Sequence, residues 1–404
     1  MSSTIAASAT TRVATRVASI DLIRGAVMVL MAIDHVRVYS GVPAGGSSYG
    51  VFFTRWITHF CAPAFIFLGG TSAWFYGRKH TDLSRFLVTR GVWLIALELT
   101  LIRLAWTFNF DSRHYELAGV IWVIGWCMIF LAALAKLPVK AVAIFGIVII
   151  AAHNLLDGYV ARLSPTLGAT TSAALWKIVY VGFWSGPIVF GRDGPVLFVL
   201  YALIPWVGVM AAGFAFGKIL AMEPSRRDRL CLTIGFGAVA LFLILRGFNL
   251  YGDPNPWTAG QGPRGAPMPA LLSFLNTNKY PASLCFLLMT LGPTIALIPL
   301  AERARGRLAS AITVFGRVPF FFYVLHIPLI HALALVVSRL RLGSISPWLF
   351  ANHPMAAGSP PEGYTWSLGL LYAVWAVTIV LLYIVCRWYA SFKAPRTDPW
   401  LRYL

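Results

Sequence analysis

The stretch from Ser19 to Gly41, SIDLIRGAVMVLMAIDHVRVYSG, is long and apolar enough to cross a bilayer, yet it contains Asp21, Arg24, Asp34, His35 and Arg37. A hydrocarbon core of about 30 Å requires about 20 residues of α-helix. A charged group at its centre costs about 2.5–3.5 kcal/mol, so such residues usually face a polar cavity inside a bundle. The stretch therefore predicts a membrane helix that lines a polar site.

The composition of the whole chain places it among membrane proteins. Of its 404 residues, 58% are hydrophobic and 12% are charged, and the mean hydropathy of +0.74 is outside the range of soluble domains. The formal net charge of +19 is spread over short loops rather than one face, so we expect no nucleic-acid partner. The five cysteines lie in apolar runs and are expected to be small core residues.

Ten apolar runs predict an all-α, polytopic transmembrane helix bundle with about ten spans. The stretch Thr171–Phe190 is interrupted by Lys177, Gly182, Gly186 and Pro187, and we expect it to be interfacial or re-entrant. The ten predicted spans are Ile20–Ser40, Arg55–Gly77, Leu83–Trp106, Leu117–Ala135, Val139–Leu156, Pro195–Leu220, Leu230–Tyr251, Pro281–Leu300, Ala309–Val337 and Ser367–Tyr389.

The distribution of Lys and Arg between alternate loops predicts the orientation. With the N-terminus inside, 19 of these residues lie in inner segments and 8 in outer ones. Such a bias places both termini in the cytoplasm. We expect residues 1–15 to be a disordered cytoplasmic tail, residues 16–390 to form the membrane domain, and residues 391–404 to be a cytoplasmic tail.

Several ionisable residues are predicted to lie at the same depth in the outer leaflet. With a rise of about 1.5 Å per residue, those on ascending spans lie about 22–25 Å above the inner end, and His59 lies close to the outer edge. The sequence predicts a funnel open to the outside, floored by Asp34, His35, His59, Glu98, Arg246 and His326.

Within this funnel, His35 is the preferred general base, because an imidazole titrates near working pH. Adjacent residues lie 100° apart on a helix, so we expect Asp34 and His35 to find partners on other spans, with Glu98 holding the His35 ring. His59 is the rival base. Alternatively, each lone histidine only hydrogen-bonds a carbonyl group, and Glu98 with Arg103 is only a structural ion pair.

A second cluster lies at the inner end of the first span. Asp21 and Arg24 are three residues apart on one helix face. They are either a positive-inside anchor or a site that receives a phosphate-rich ligand from the cytoplasm. The chain has no P-loop, dinucleotide fingerprint, G-x-S-x-G or H-E-x-x-H motif, so the motifs of soluble enzymes are absent and we expect no metal site.

Five segments together resemble a known family. They are RVASIDLIRGAVMVLMAIDHVR, FFTRWITHFCAPAFIFLGGTSAWFYG, RGFNLYGDP, FLNTNKYPASLCFLLMTLGP and FFYVLHIPLIH. They resemble bacterial membrane proteins with the heparan-α-glucosaminide N-acetyltransferase catalytic domain. The family's first-span S-x-D-x-x-R-G corresponds to Ser19, Asp21, Arg24 and Gly25.

The resemblance implies a transmembrane acyltransferase that uses cytoplasmic acetyl-CoA, or another acyl-CoA, as a co-substrate and has no permanently bound cofactor. Its acceptor would be an amino sugar or envelope glycan outside a bacterial cytoplasmic membrane. The animal enzyme uses a histidine in the loop after the first span. The corresponding loop here, GVPAGGSSYGVFF, contains no histidine, so His35 or His59 would serve as the base.

On this interpretation, Asp21 and Arg24 bind the acyl-CoA, and Arg246, Asn249, Lys279 and His326 bind the acceptor or stabilise an oxyanion. A proton-coupled transporter is the alternative, since a proton relay uses the same residue types. A non-catalytic membrane partner of envelope synthesis is a third. No pair of interrupted spans in corresponding halves supports a transporter. The oligomeric state is left open.

Overall fold

The computed structural model describes residues 17–159, 171–182, 186–262, 265–351 and 358–396, together with residues 398 and 401. The N-terminal tail expected at residues 1–15 lies outside the described residues. Within them, the chain is mostly helical, as expected from its composition.

The helices follow one another along the chain with short connections. They are α1 Ala18–Ser40, α2 Tyr49–Trp56, α3 Cys61–Gly77, α4 Leu83–Leu97, α5 Arg103–Thr107, α6 Val120–Leu134, α7 Val139–Ala152, α8 Thr171–Trp176, α9 Leu203–Leu220, α10 Pro224–Gly247, α11 Ala270–Leu275, α12 Leu284–Ala296, α13 Ile298–Arg303, α14 Arg307–Arg317, α15 Pro319–Leu342, α16 Trp348–Ala351 and α17 Leu368–Lys393. A 3₁₀ turn, Ile57–Phe60, joins α2 to α3, and a π-helical turn, Glu98–Ile102, joins α4 to α5.

Seven helical segments among the described residues are long and apolar enough to cross a membrane. They are Tyr49–Gly77, Val139–Tyr159, Leu203–Leu220, Pro224–Gly247, Leu284–Arg303, Pro319–Leu342 and Leu368–Lys393. Three further predicted spans do not meet this criterion, because α1 and the Leu83–Thr107 region contain several charges and α6 has only 15 residues. The chain is therefore an integral, multi-pass membrane protein.

The ninth predicted span, Ala309–Val337, is wrong. The apolar run is divided at Val318 into the separate helices α14 and α15. Pro319 begins α15 because proline cannot donate the backbone hydrogen bond that would continue α14. His326 is thus only seven residues from the start of its helix, about 10 Å along the axis rather than the about 25 Å expected.

Helix α1 lies in the interior of the bundle, in contact with α3, α13, α14, α15 and α17. It packs closely on α14 through two glycines, because a Cβ atom at Gly25 would clash with the Ile312 carbonyl group and one at Gly316 with that of Asp21. The helix ends at Gly41, which adopts the left-handed conformation that favours glycine. The ionisable residues of the opening stretch therefore face protein rather than lipid.

The other helices pack in pairs around this centre. Helix α9 contacts α3 and α7, α4 contacts α6, and α10 contacts α12. In α10 and α17 only 22% of the membrane-length window is buried, against 72% in α9. Helices α10 and α17 thus form the periphery of the bundle, where apolar side chains face outward.

A small sheet closes one end of the bundle, an element that the sequence pattern did not predict. Strand β3, Val196–Val199, pairs in parallel with β1, Glu116–Ala118, and antiparallel with β2, Ile188–Val189. The sixth predicted span began at Pro195, so its first residues are strand rather than helix. The described parts of Thr171–Phe190 contain no helix of membrane length.

Candidate active site

Two cavities follow one another along the interior of the bundle. We name its ends after α1: the near end is where α1 begins and the far end is where it finishes. The far cavity has a volume of about 410 Å³ and the near cavity about 290 Å³. Phe65, Val120 and Tyr323 line both, so these three side chains form the neck between the cavities.

The far cavity contains most of the polar residues singled out from the sequence. Its apolar wall includes Met31, Trp106 and Leu117. Its ionisable lining residues are Asp34, His35, Arg37, Arg55, Glu98 and Lys279, with Tyr201 and Tyr280 alongside them. Of the predicted funnel residues, the structure therefore places Asp34, His35 and Glu98 on one cavity.

Asp34 has its partner on its own helix. Arg37 Nε donates to Asp34 Oδ1 at 2.7 Å, and Arg37 Nη1 donates to the Val42 carbonyl group at 3.0 Å. The expectation that Asp34 would require a partner on another span was wrong, because residues three apart share one face of a helix. Asp34 also interacts electrostatically with Lys279 and Arg55, so this carboxylate is surrounded by cations.

His35 contacts a second imidazole. Its Nδ1 atom lies 2.6 Å from Nε2 of His326, and the two rings stack with centroids 4.8 Å apart. The edge of Trp106 packs against His35 with the centroids 5.0 Å apart. Side chains of α15 and α5 thus hold the His35 ring on two sides.

The hydrogen bonds of His326 determine the tautomer of both rings in their neutral state. His326 Nδ1 lies 2.6 Å from the Tyr323 carbonyl oxygen, which can only accept, so Nδ1 is the protonated nitrogen. His326 Nε2 is then an acceptor and His35 Nδ1 donates to it. The remaining nitrogen, His35 Nε2, has a lone pair, and among the described residues it has no hydrogen-bond partner. His35 is therefore poised to accept a proton from a molecule in the far cavity.

Glu98 does not hold His35, contrary to expectation. Its Oε2 atom accepts hydrogen bonds from the backbone N–H groups of Ile121, at 3.1 Å, and Trp122, at 3.3 Å. These are unsatisfied donors in the first turn of α6, so Glu98 stabilises the beginning of that helix. A Cβ atom at Gly119 would clash with this carboxylate, which accounts for a glycine there.

Arg103 is not the ion-pair partner of Glu98. Its guanidinium group donates to the carbonyl groups of Asn109, Asp111 and Tyr115. The interpretation of Glu98 and Arg103 as a structural ion pair is therefore wrong, and each side chain instead satisfies backbone groups.

His59, the rival base, is buried beside the far cavity without lining it. Neither of its ring nitrogens has a hydrogen-bond partner in the described structure, and its ring lies 5.4 Å from that of Phe286. The neighbouring residues Thr58 and Cys61 do line the cavity. The side chain of His59 is therefore directed toward α12.

Arg246 stabilises a loop and does not line the far cavity. It donates to the carbonyl groups of Ser273, Phe274, Asn255 and Asn276. Its Nη1 atom lies 3.5 Å from Oδ1 of Asp253. Burial raises the pKa of the Asp253 carboxyl group, and Arg246 and nearby N–H donors oppose that rise.

Asn249 also belongs to loop structure, since its side chain donates to the Trp257 carbonyl group and accepts from the Trp257 N–H group. Both Asn249 and Arg246 instead line a separate cavity of about 220 Å³ beside Asp157 and Asp253. Neither residue lies where the expected acceptor contact would place it.

The near cavity is apolar in its depth and basic at its mouth. Arg24, Arg90 and Tyr76 supply its polar groups, and Leu87, Ile124 and Phe320 are among its apolar walls. Arg24 Nη2 donates to Ser72 Oγ at 2.7 Å, and Arg24 Nη1 lies 3.9 Å from Oδ1 of Asp21. The expected pair of Asp21 and Arg24 is present, and of the two only Arg24 lines the cavity.

Some site residues were missed because their contacts are not local. The Tyr323 neck and the His35–His326 pair join segments that lie far apart in the chain. Arg37 and Arg55 are charges flanking predicted spans, a signal that the sequence contained. Within the described residues, no group of three or more His, Cys, Asp or Glu side chains is arranged to hold a metal ion.

Comparison with known proteins gives one match. The family model described as heparan-alpha-glucosaminide N-acetyltransferase, catalytic, matches residues 16–250, more than half of the chain. The matched region includes α1, the neck residues Phe65 and Val120, and Glu98. No curated protein matches the chain.

Proposed function

The chain belongs to the heparan-α-glucosaminide N-acetyltransferase catalytic family, and from that premise we propose that it transfers an acetyl or other acyl group from acyl-CoA to an amino sugar or envelope glycan. The donor would enter from the cytoplasm through the near cavity, and the acceptor would enter the far cavity from the other side.

The observation that supports this proposal best is the arrangement of two cavities of different character with a shared neck. Arg24 and Arg90 border the near cavity, and guanidinium groups suit the phosphates of CoA. The apolar walls beyond them suit the pantetheine arm. A thioester that extends to the neck would then lie next to the far cavity, which contains His35.

His35 supplies the base in this mechanism. His35 Nε2 accepts a proton from the acceptor amine while the amine nitrogen attacks the thioester carbonyl carbon. The resulting tetrahedral intermediate collapses with cleavage of the C–S bond, which forms the amide and releases CoA thiolate. The proton on His35 then passes to the thiolate, so the imidazole is regenerated.

His326 keeps the reactive nitrogen of His35 available. Because His326 Nε2 accepts from His35 Nδ1, the lone pair of His35 is directed to the cavity. When His35 takes up a proton, the same hydrogen bond stabilises the imidazolium. His326 is accordingly a positioning residue and not an acceptor ligand as the sequence suggested.

The near end is the cytoplasmic end in this proposal. The positive-inside bias of the loops places the start of α1 and both termini in the cytoplasm. Acetyl-CoA is a cytoplasmic metabolite, so it would enter the near cavity. A bacterial cytoplasmic membrane remains the expected location.

The proposal is tested with the purified protein in sealed lipid vesicles. Acetyl-CoA is supplied on one face and glucosamine on the other, and CoA release and N-acetylglucosamine are measured by mass. Transfer is expected only when acetyl-CoA faces the near end. Movement of the sugar without CoA release would contradict the proposal and favour a transporter.

A further inference from the structure

The far cavity contains more positive than negative charge. Arg37 is paired with Asp34 at 2.7 Å, and Glu98 is held by two backbone N–H groups. Arg55 and Lys279 remain, and no ion pair with a carboxylate is present for either within the described part of the chain. Two cations on the wall of one cavity thus have no anion of the protein to balance them.

Lys279 is the more informative of the two cations. The residue is only 8% exposed and lines the cavity, but its ammonium group has no hydrogen-bond acceptor among the described residues. Its nearest recorded partner is the face of Tyr280, 5.2 Å from Nζ. A largely buried ammonium group without a partner is costly. The arrangement is typical of a site whose counter-ion arrives with a ligand.

The loop that carries Lys279 is rigidly built. The Asn278 N–H group and Ser283 Oγ both donate to Asp253 Oδ2 at 2.9 Å, and Asn278 Nδ2 donates to the Pro281 carbonyl group. Arg246 joins Asp253 to the preceding turn. The ammonium group is therefore held at the cavity before any ligand binds, which reduces the entropic cost of binding.

Arg55 lies on the same cavity and keeps donors available. Only its Nη1 atom has a recorded hydrogen bond, to the Ala44 carbonyl group at 3.0 Å. Both Arg55 and Lys279 interact electrostatically with Asp34 and His59, so the two cations lie within range of one ligand.

We infer that Lys279 and Arg55 form an anion-binding subsite, and that the acceptor bears a phosphate or carboxylate group in addition to its amine. This inference rests on the proposed function, because it assigns a charge to the acceptor. The anion is not a CoA phosphate, since those groups belong to the basic mouth of the near cavity beyond the neck.

The test compares three free amino sugars as acceptors: glucosamine, glucosamine 6-phosphate and muramic acid, which carries a carboxylate. We expect wild type to favour at least one charged sugar over glucosamine in kcat/KM by about 10- to 100-fold, the size of a hydrogen bond to a charged group. Lys279→Met should remove this preference and leave glucosamine turnover unchanged, whereas Lys279→Arg should retain it. The sugar that is favoured identifies phosphate or carboxylate as the anion.

A matched control is Lys177→Met, because Lys177 is also largely buried but donates to the Pro187 carbonyl group away from the cavity. This variant should keep the wild-type preference. Equal kcat/KM for charged and uncharged sugars in wild type would overturn the anion subsite while leaving acyl transfer intact. An equal loss with all three sugars in Lys279→Met would also overturn it.

Calorimetric binding of the charged sugars without acyl-CoA separates the two claims. If glucosamine 6-phosphate or muramic acid binds wild type but not Lys279→Met, and no acyl transfer occurs, the subsite is upheld and the proposed function is wrong. If neither charged sugar binds more tightly than glucosamine, the subsite is wrong whatever the enzyme transfers.

Discussion

His35 and His326 are 291 positions apart in the chain, yet His35 Nδ1 and His326 Nε2 lie 2.6 Å apart in the interior of the bundle. The Tyr323 carbonyl group fixes the proton on the far nitrogen of His326, and this in turn fixes the proton on Nδ1 of His35. The second imidazole thus determines which nitrogen of the first is basic toward the far cavity.

Removal of His326 tests this relationship. In His326→Ala, His35 Nδ1 loses its acceptor, and the ring is free to adopt the other tautomer. We expect kcat to fall by about 10- to 100-fold, the usual cost of losing an orienting partner, with the KM for acyl-CoA unchanged. His326→Gln keeps an acceptor oxygen and should recover part of the rate. Equal rates in both variants would show that no hydrogen bond to His35 is needed.

The contact between α1 and α14 allows a stability prediction. A methyl group at position 316 would clash with the Asp21 carbonyl group, so Gly316→Ala should lower the free energy of unfolding by about 1–3 kcal/mol. Gly237→Ala is the control, because a Cβ atom at position 237 meets no neighbour within 4 Å. Thermal unfolding in detergent should show a lower Tm for the first variant and an unchanged or higher Tm for the second. The reverse order would contradict the packing of α1 on α14.

Glu98 is predicted to stabilise the start of α6. Glu98→Ala would leave the Ile121 and Trp122 N–H groups without an acceptor inside the protein, at a cost of about 1–3 kcal/mol. Glu98→Gln keeps one acceptor oxygen and should lose less, as measured by thermal unfolding. If Glu98→Ala unfolded at the wild-type temperature and lost only turnover, Glu98 would act in catalysis instead.

Arg24 is predicted to serve the donor. It lines the near cavity, so Arg24→Ala should weaken acyl-CoA binding by about 10-fold or more, with acceptor binding unchanged. Arg229→Ala removes an exposed arginine near the start of α10 and should bind acyl-CoA normally. Calorimetric titration with acetyl-CoA measures both variants. An equal effect on donor and acceptor would indicate that Arg24 is only a structural anchor.

The sequence was sufficient to predict the membrane class, most helix positions and a polar cavity against α1. These predictions depend on hydropathy and on the cost of burying charge, both of which are local properties. The i, i+3 spacing of Asp34 and Arg37 was equally readable, since it repeats the spacing of Asp21 and Arg24.

The partners of residues on different helices could not be predicted. Counting residues gives a depth along a helix, but not the direction of a side chain or the identity of the neighbouring helix. Arg246 has a depth similar to that of His35, but α10 lies at the periphery and its arginine binds loop carbonyl groups. His326 was assigned a wrong depth because the division at Val318 lies within a continuous apolar run.

The most direct test of the mechanism compares the two candidate bases, His35 and His59. His35→Ala removes the nitrogen that faces the cavity, whereas His59→Leu replaces a buried ring whose nitrogens have no partner in the described structure. Both variants are first shown to be folded and to bind acetyl-CoA, and acyl transfer to the acceptor is then measured. The account predicts a loss of about 10²- to 10⁴-fold in His35→Ala and near-normal transfer in His59→Leu. Normal transfer in His35→Ala, or its abolition only in His59→Leu, would contradict the assignment of His35 as the base.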